Sequence, residues 1–215
     1  MHAVLISGAA DPPPGIVALL GSVDFVIAVD GGYDTARALG LAVSRLVGDL
    51  DSVSAAGLHH AETAGVPVER HPVEKDATDL YLGIECARTV GADRLTVVSG
   101  VGSRVDHLVA ELALIASVDL SDVAVEMWIG RARLAMLRGP VSWTAPAISQ
   151  GELVTLLAVG GKAEGITTGG LRYPLRNETL SPGETRGVSN VAEGTCVDVV
   201  VNRGSLLAIR PDAIS

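Results

Sequence analysis

The stretch Val47-Gly48-Asp49-Leu50-Asp51-Ser52, answered downstream by Glu74-Lys75-Asp76-Ala77-Thr78-Asp79, decides how the chain is read. If Ser44 to Val47 ends a strand, Asp49 and Asp51 are alternate residues of extended chain and their carboxylates leave on one side. Two carboxylates that close call for a cation between them. Beyond the carboxyl ends of a parallel α/β sheet, where ligands collect, such a pair is placed to hold Mg²⁺ against phosphates. Asp-x-Asp-Ser is also an ordinary turn or helix N-cap, because Asp and Ser hydrogen-bond nearby amides. Recurrence favours the first reading: acidic residues follow one strand-like run after another, at Asp30, Asp49 and Asp51, Asp76 and Asp79, and Asp106.

Working outward, apolar runs alternate with helical patterns, the sign of stacked βαβ units and a mainly parallel sheet. Ala3 to Ile6 and Phe25 to Val29 read as buried strands, the second ending at Asp30-Gly31-Gly32 with a helix expected over residues 35–39. Two glycines there let backbone approach a ligand, or simply make a tight turn. Val66 to Arg70 reads as a short strand whose Pro67 marks a strand end or an edge. A helix is expected from Asp76 to Val90, with Asp76 and Asp79 in its first turn, where acidic residues also complement the helix dipole. Leu95 to Val98 is the next strand. The loop Gly100-Val101-Gly102-Ser103-Arg104-Val105-Asp106-His107 then leads into a helix over residues 108–115. Glycines with one Arg suit phosphate oxygens, although the Lys-Ser/Thr ending of a Walker loop is absent. His107 could serve as an acid or base, or make a structural hydrogen bond.

After Val123 to Trp128 the pattern changes to short strand-like pieces separated by Gly, Pro and Asn turns: 134–137, 153–158, 196–201 and 206–209. The fold class expected is therefore α/β: an N-terminal Rossmann-like parallel-sheet domain over residues 1–130, followed by an antiparallel β-sandwich over residues 131–215.

Composition narrows the function. The chain has 215 residues, 48% hydrophobic and 19% charged, and a net charge of −9, which argues for a globular protein and against disorder and against nucleic acid as a partner. Cys86 and Cys196 are far apart and are expected to be buried thiols, with no zinc site or disulfide framework. No apolar span approaches the ~20 residues of a membrane helix, and no secretory h-region develops before Pro12-Pro13-Pro14, so the expected location is cytoplasmic.

In combination the motifs resemble those of the thiamine pyrophosphokinase (thiamine diphosphokinase) family. They are Asp30-Gly31-Gly32, Gly48-Asp49-Leu50-Asp51-Ser52, Glu74-Lys75-Asp76-Ala77-Thr78-Asp79, Arg104-Val105-Asp106-His107, Gly170-Leu171-Arg172-Tyr173-Pro174-Leu175 and Gly187-Val188-Ser189-Asn190. They occur in the family's order. The resemblance implies transfer of the β,γ-diphosphoryl group of ATP to the thiamine hydroxyl, giving thiamine diphosphate and AMP. It also implies a homodimer with thiamine at the subunit interface. Asp49, Asp51 and Asp76 would hold Mg²⁺, with Asp79 and Asp106 near the reacting groups and Asp106 orienting or deprotonating the hydroxyl. Asp30, Gly31, Gly32, Lys75, Gly102, Arg104 and His107 would face ATP and its phosphates, and Tyr173, Ser189 and Asn190 would contact thiamine. Ser103, Glu111, Arg172 and Val191 depart from the family's commoner residues. The rival readings are a pterin-alcohol diphosphokinase on the same scaffold and a non-catalytic nucleotide or thiamine diphosphate sensor.

Overall fold

The computed structural model describes residues 1–8, 12, 15–100 and 104–214, and the chain divides into two compact units. The first comprises residues 1–114 and 122–130; the second, residues 115–121 and 131–215.

The first unit alternates strands and helices: β1 (His2–Ser7), α1 (Ile16–Leu20), β2 (Phe25–Val29), α2 (Gly32–Ala38), β3 (Arg45–Gly48), α3 (Ala55–Thr63), β4 (Val68–Arg70), α4 (Asp79–Thr89), β5 (Arg94–Ser99), α5 (Val105–Ile115) and β6 (Ala124–Ile129). All its pairings are parallel, in the order β6-β5-β1-β2-β3-β4. Ala3 to Ile6 are fully buried, as a strand covered on both faces must be. The chain winds outward from β1 through β2 and β3 to β4, then returns to β5 on the other side of β1. That reversal opens a crevice at the strands' carboxyl ends. β4 is the edge strand, consistent with Pro67 just before it.

Two helix starts differ from the sequence expectation for local reasons. α4 begins at Asp79 rather than Asp76, because Thr78 is its N-cap and accepts from the Tyr81 amide at 3.3 Å. Asp79 therefore lies in the first turn and Asp76 precedes the helix. α2 begins at Gly32, three residues early, because the chain turns immediately after β2: the Tyr33 amide donates to the Asp30 carbonyl at 2.9 Å.

The second unit contains β7 (Ala132–Arg138), β8 (Val141–Thr144), β9 (Leu153–Ala158), β10 (Ala163–Gly169), β11 (Arg176–Leu180), β12 (Asn190–Val191), β13 (Asp198–Val201) and β14 (Ser205–Arg210). They form two antiparallel sheets, β12-β9-β14-β7 and β11-β10-β13-β8. Side chains from both, among them Leu137, Leu156, Ile166, Val199 and Leu206, share one core, so this unit is a β-sandwich. Cys86 is buried as expected, but Cys196 is exposed: it lies just before β13, where its thiol donates to Asp198 Oδ2 at 3.5 Å.

Candidate active site

An open cleft of about 790 Å³ lies within the first unit, at the carboxyl ends of its strands. β1 contributes Ser7 and Gly8, β2 contributes Val29 and Asp30, and the loop after β3 contributes Asp49, Asp51 and Ser52. Ser99 and Gly100 enter from β5. Lys75 and Asp79 come from before and within the first turn of α4, and Arg104, His107 and Glu111 from α5 and the residue before it. The crevice implied by strand order is thus lined with charge.

The loop after β3 is not the extended chain that alternation assumes. Gly48 has φ 140° and Leu50 has φ 70°, and a Cβ at Gly48 would stand 2.0 Å from Asp30 Oδ1. The loop folds over Asp30, whose Oδ1 accepts from the Leu50 amide at 2.9 Å. Asp30 itself has φ 47°, a strained conformation for a residue with a Cβ, and its amide donates to the Val47 carbonyl at 3.0 Å. The glycines after Asp30 meet protein backbone and side chain. A Cβ on Gly32 would lie 1.9 Å from the Ile6 carbonyl oxygen, and the Gly31 amide donates to Ser52 Oγ at 2.9 Å.

This folding gathers Asp30, Asp49 and Asp79, each offering a carboxylate oxygen within 4.8 Å of the others. Lys75 Nζ reaches Asp49 Oδ2 at 2.8 Å and Asp79 Oδ1 at 3.0 Å. One ammonium against three carboxylates leaves two negative charges uncompensated. Burial pushes the Asp30 carboxyl up to about 6, offset in part by the Leu50 amide and reinforced by the charges of Asp79 and Asp49. The hydrogen bond from Lys75 holds the Asp49 carboxyl below its usual range. Hard oxygen donors this close, with that residual charge, fit a divalent cation of the magnesium type.

The other sequence-selected residues take varied positions. Asp51 lines the cleft and is exposed, its amide donating to Asp49 Oδ1 at 3.2 Å. Asp76 is exposed and outside the cleft lining. Arg104 lines the cleft and grips Asp106 through Nε at 2.9 Å and Nη2 at 2.5 Å. Asp106 is exposed, and the Arg104 guanidinium holds its carboxyl far below the usual range. Gly102 lies outside the described residues. In the second unit, Tyr173 is 55% exposed rather than part of the sandwich core. Buried Asn190 clamps its backbone, accepting from the Tyr173 amide at 3.0 Å and donating to its carbonyl at 2.8 Å. Ser189, with φ 55°, is exposed and tied through its amide to Thr155 Oγ1 at 3.0 Å. Trp128 is fully buried, and Trp143 packs on the sandwich core.

Sequence reasoning missed Ser99 and singled out Glu111 only as a departure from the family that could alter thiamine contacts. Ser99 Oγ donates to Glu111 Oε2 at 2.9 Å, and burial pushes the Glu111 carboxyl up. The position of Ser99 directly after the apolar run Leu95 to Val98, before Gly100, was the available signal.

Comparison with known proteins adds what geometry cannot. Residues 17–127 match the model of the thiamin pyrophosphokinase catalytic domain, and residues 145–206 match that of the thiamin pyrophosphokinase vitamin B1 binding domain. The chain belongs to the thiamin pyrophosphokinase family. Its reaction class is therefore that of an ATP-dependent thiamine diphosphokinase. A thiamine pyrophosphokinase of Bacillus subtilis (strain 168) is 23% identical over 164 residues, which is 76% of each chain. The crystal structure of thiamine pyrophosphokinase from Bacillus subtilis aligns with a TM-score of 0.86 over 98% of both chains at 21% identity. Yeast thiamin pyrophosphokinase aligns at 0.74 and 16% identity over 97% of this chain and 86% of its own. At such identities the structural matches speak for the fold, a catalytic α/β domain with a β-sandwich.

Proposed function

We propose that the cleft of the first unit binds ATP through a divalent cation and catalyses its attack by thiamine. The hydroxyethyl oxygen of thiamine bonds to the β-phosphorus while the bond from that phosphorus to the α,β-bridging oxygen breaks. Thiamine diphosphate forms, AMP leaves, and the hydroxyl proton passes to solvent. Transfers of this kind ask mainly for alignment and charge neutralisation.

Asp30, Asp49 and Asp79 would hold Mg²⁺, with Asp51 beside them at the rim; the exposure of Asp76 argues for Asp79 in its place. Bound there, the ion would neutralise charge on the transferred phosphates. Lys75 pairs with Asp49 and Asp79 and can swing to a phosphate oxygen, while Arg104 presents its guanidinium at the cleft. Asp106 acts by holding Arg104. A carboxylate held that far below its usual range is a poor proton acceptor, which suits Asp106 better to orienting groups through Arg104 than to deprotonating the hydroxyl. Tyr173, kept exposed by Asn190, would stack on the thiamine rings at the interface of a homodimer. A cytoplasmic enzyme would have ATP at hand.

The convergence of Asp30, Asp49 and Asp79 with Lys75 carries this reading. Calorimetric titration of Mg²⁺ into wild type and Asp49→Asn tests it. Binding to the wild type that disappears in the variant is expected; equal binding by both would remove the cation site.

A further inference from the structure

Glu111 lies in the second turn of α5 and lines the cleft four residues after His107, so both side chains share one helix face. Its Oε2 is fixed by the hydroxyl of Ser99, which is itself only 5% exposed. That bond uses one of about four acceptor positions on the carboxylate, which lines the cleft. Ser99 ends β5, and β1 separates β5 from β2, which carries Asp30. Two interstrand spacings, roughly 10 Å, therefore divide the backbone of the Ser99 anchor from that of the acidic cluster. Glu111 is thus anchored on the β5 side of the cleft, whereas Asp30 and Asp49 follow β2 and β3.

A carboxylate repels phosphate, so it must face a part of the nucleotide that donates hydrogen bonds. The first such part beyond the phosphates is the ribose, whose vicinal hydroxyls match an oriented carboxylate acceptor. The region matched by the vitamin B1 binding domain is residues 145–206, whereas Glu111 lies in that matched by the catalytic domain. We propose that Glu111, oriented by Ser99, accepts hydrogen bonds from the ribose hydroxyls of the nucleotide and makes the enzyme selective for ribonucleotides over deoxyribonucleotides. This rests on the cleft being the ATP site.

The test uses full-length protein with Mg²⁺ and compares binding of α,β-methylene-ATP with its 2′-deoxy and 3′-deoxy counterparts by calorimetry. The wild type is expected to favour the ribonucleotide by roughly 10- to 100-fold over at least one deoxy analogue, the range for a hydrogen bond to a charged group. In Glu111→Gln that preference should fall to within about threefold, with ribonucleotide affinity reduced and deoxynucleotide affinity nearly unchanged. Ser99→Ala, which frees the carboxylate to rotate, should give an intermediate preference. Thermal melting of each variant shows whether it folds, and an unfolded Glu111→Gln leaves the decision to Ser99→Ala. Equal loss for all three nucleotides, or a preference retained in the folded variants, overturns the assignment. Loss of a preference for the 6-amino group of adenine, measured with the purine riboside analogue, would move Glu111 to the base and also overturn it. Failure of the wild type to bind any of the nucleotides would instead refute the ATP site itself.

Discussion

Asp49 and Asp106 are both acidic residues of family motifs, yet their surroundings give them different work. Asp49 is 9% exposed at its side chain and shares Lys75 with Asp79, whereas Asp106 is 62% exposed and held by Arg104. Asp49→Asn should lower kcat by at least ~100-fold while thermal melting stays near wild type, since the proposed cation site would lose a ligand with little change in packing. Asp106→Asn should keep kcat within about tenfold, raise KM for ATP and leave the pH profile unshifted; disappearance of a basic-limb pKa would instead restore it as the base. The thiols give an independent check on local electrostatics. The hydrogen bond and charge of Asp198 raise the Cys196 thiol above its usual pKa, so less thiolate is present at a given pH. Modification of Cys196 at pH 8 should be slow and should speed up in Asp198→Asn, with buried Cys86 unreactive until the chain unfolds. That Asp49, Asp51 and Lys75 line one cleft was legible from strand-end position. Asp30 joining Asp49 and Asp79 in one acidic cluster was not, because it depends on the positive φ of Gly48 and Leu50 folding the loop back.

At the level of elements, helix starts set which acids reach the cleft. Thr78 caps α4 and so places Asp79 in its first turn, facing Lys75. Thr78→Ala should cost about 1 kcal/mol in urea denaturation, the usual worth of such a cap, and should weaken Mg²⁺ binding as well. A variant as stable as wild type and unchanged in Mg²⁺ affinity would show that the cap holds nothing in place. Apolar runs made β1, β2, β5 and β6 readable, since strands buried on both faces need them. β11, reading Arg-Asn-Glu-Thr-Leu, was not readable: it is an edge strand with only Leu180 buried. β10 was obscured by Gly165, at φ 66°, and Gly169, and two-residue β12 is defined only by its pairing with β9. α5 begins at Val105 because the Leu108 amide donates to the Arg104 carbonyl, which carries Asp106 and His107 into the first turn.

For the whole molecule, the change from long apolar runs to short alternating ones marked the passage from parallel sheet to sandwich. The assignment of residues 115–121 to the second unit had no sequence signal, because it rests on contacts such as Arg138 Nη2 donating to the Ile115 carbonyl at 2.7 Å. Among the described residues, no helix is long and apolar enough to cross a membrane. Separate roles for the two units predict separable kinetics: Tyr173→Ala should raise KM for thiamine by roughly tenfold and leave KM for ATP unchanged. A rise in KM for ATP alone would reverse the assignment. Sedimentation should find a dimer at micromolar concentration. The central claim is transfer of an intact diphosphoryl group, and it is tested most directly by identifying both products when purified protein, thiamine, ATP and Mg²⁺ react. AMP and thiamine diphosphate should appear in equal amounts and only when all components are present. ADP with thiamine monophosphate, or AMP formed without thiamine, would contradict it.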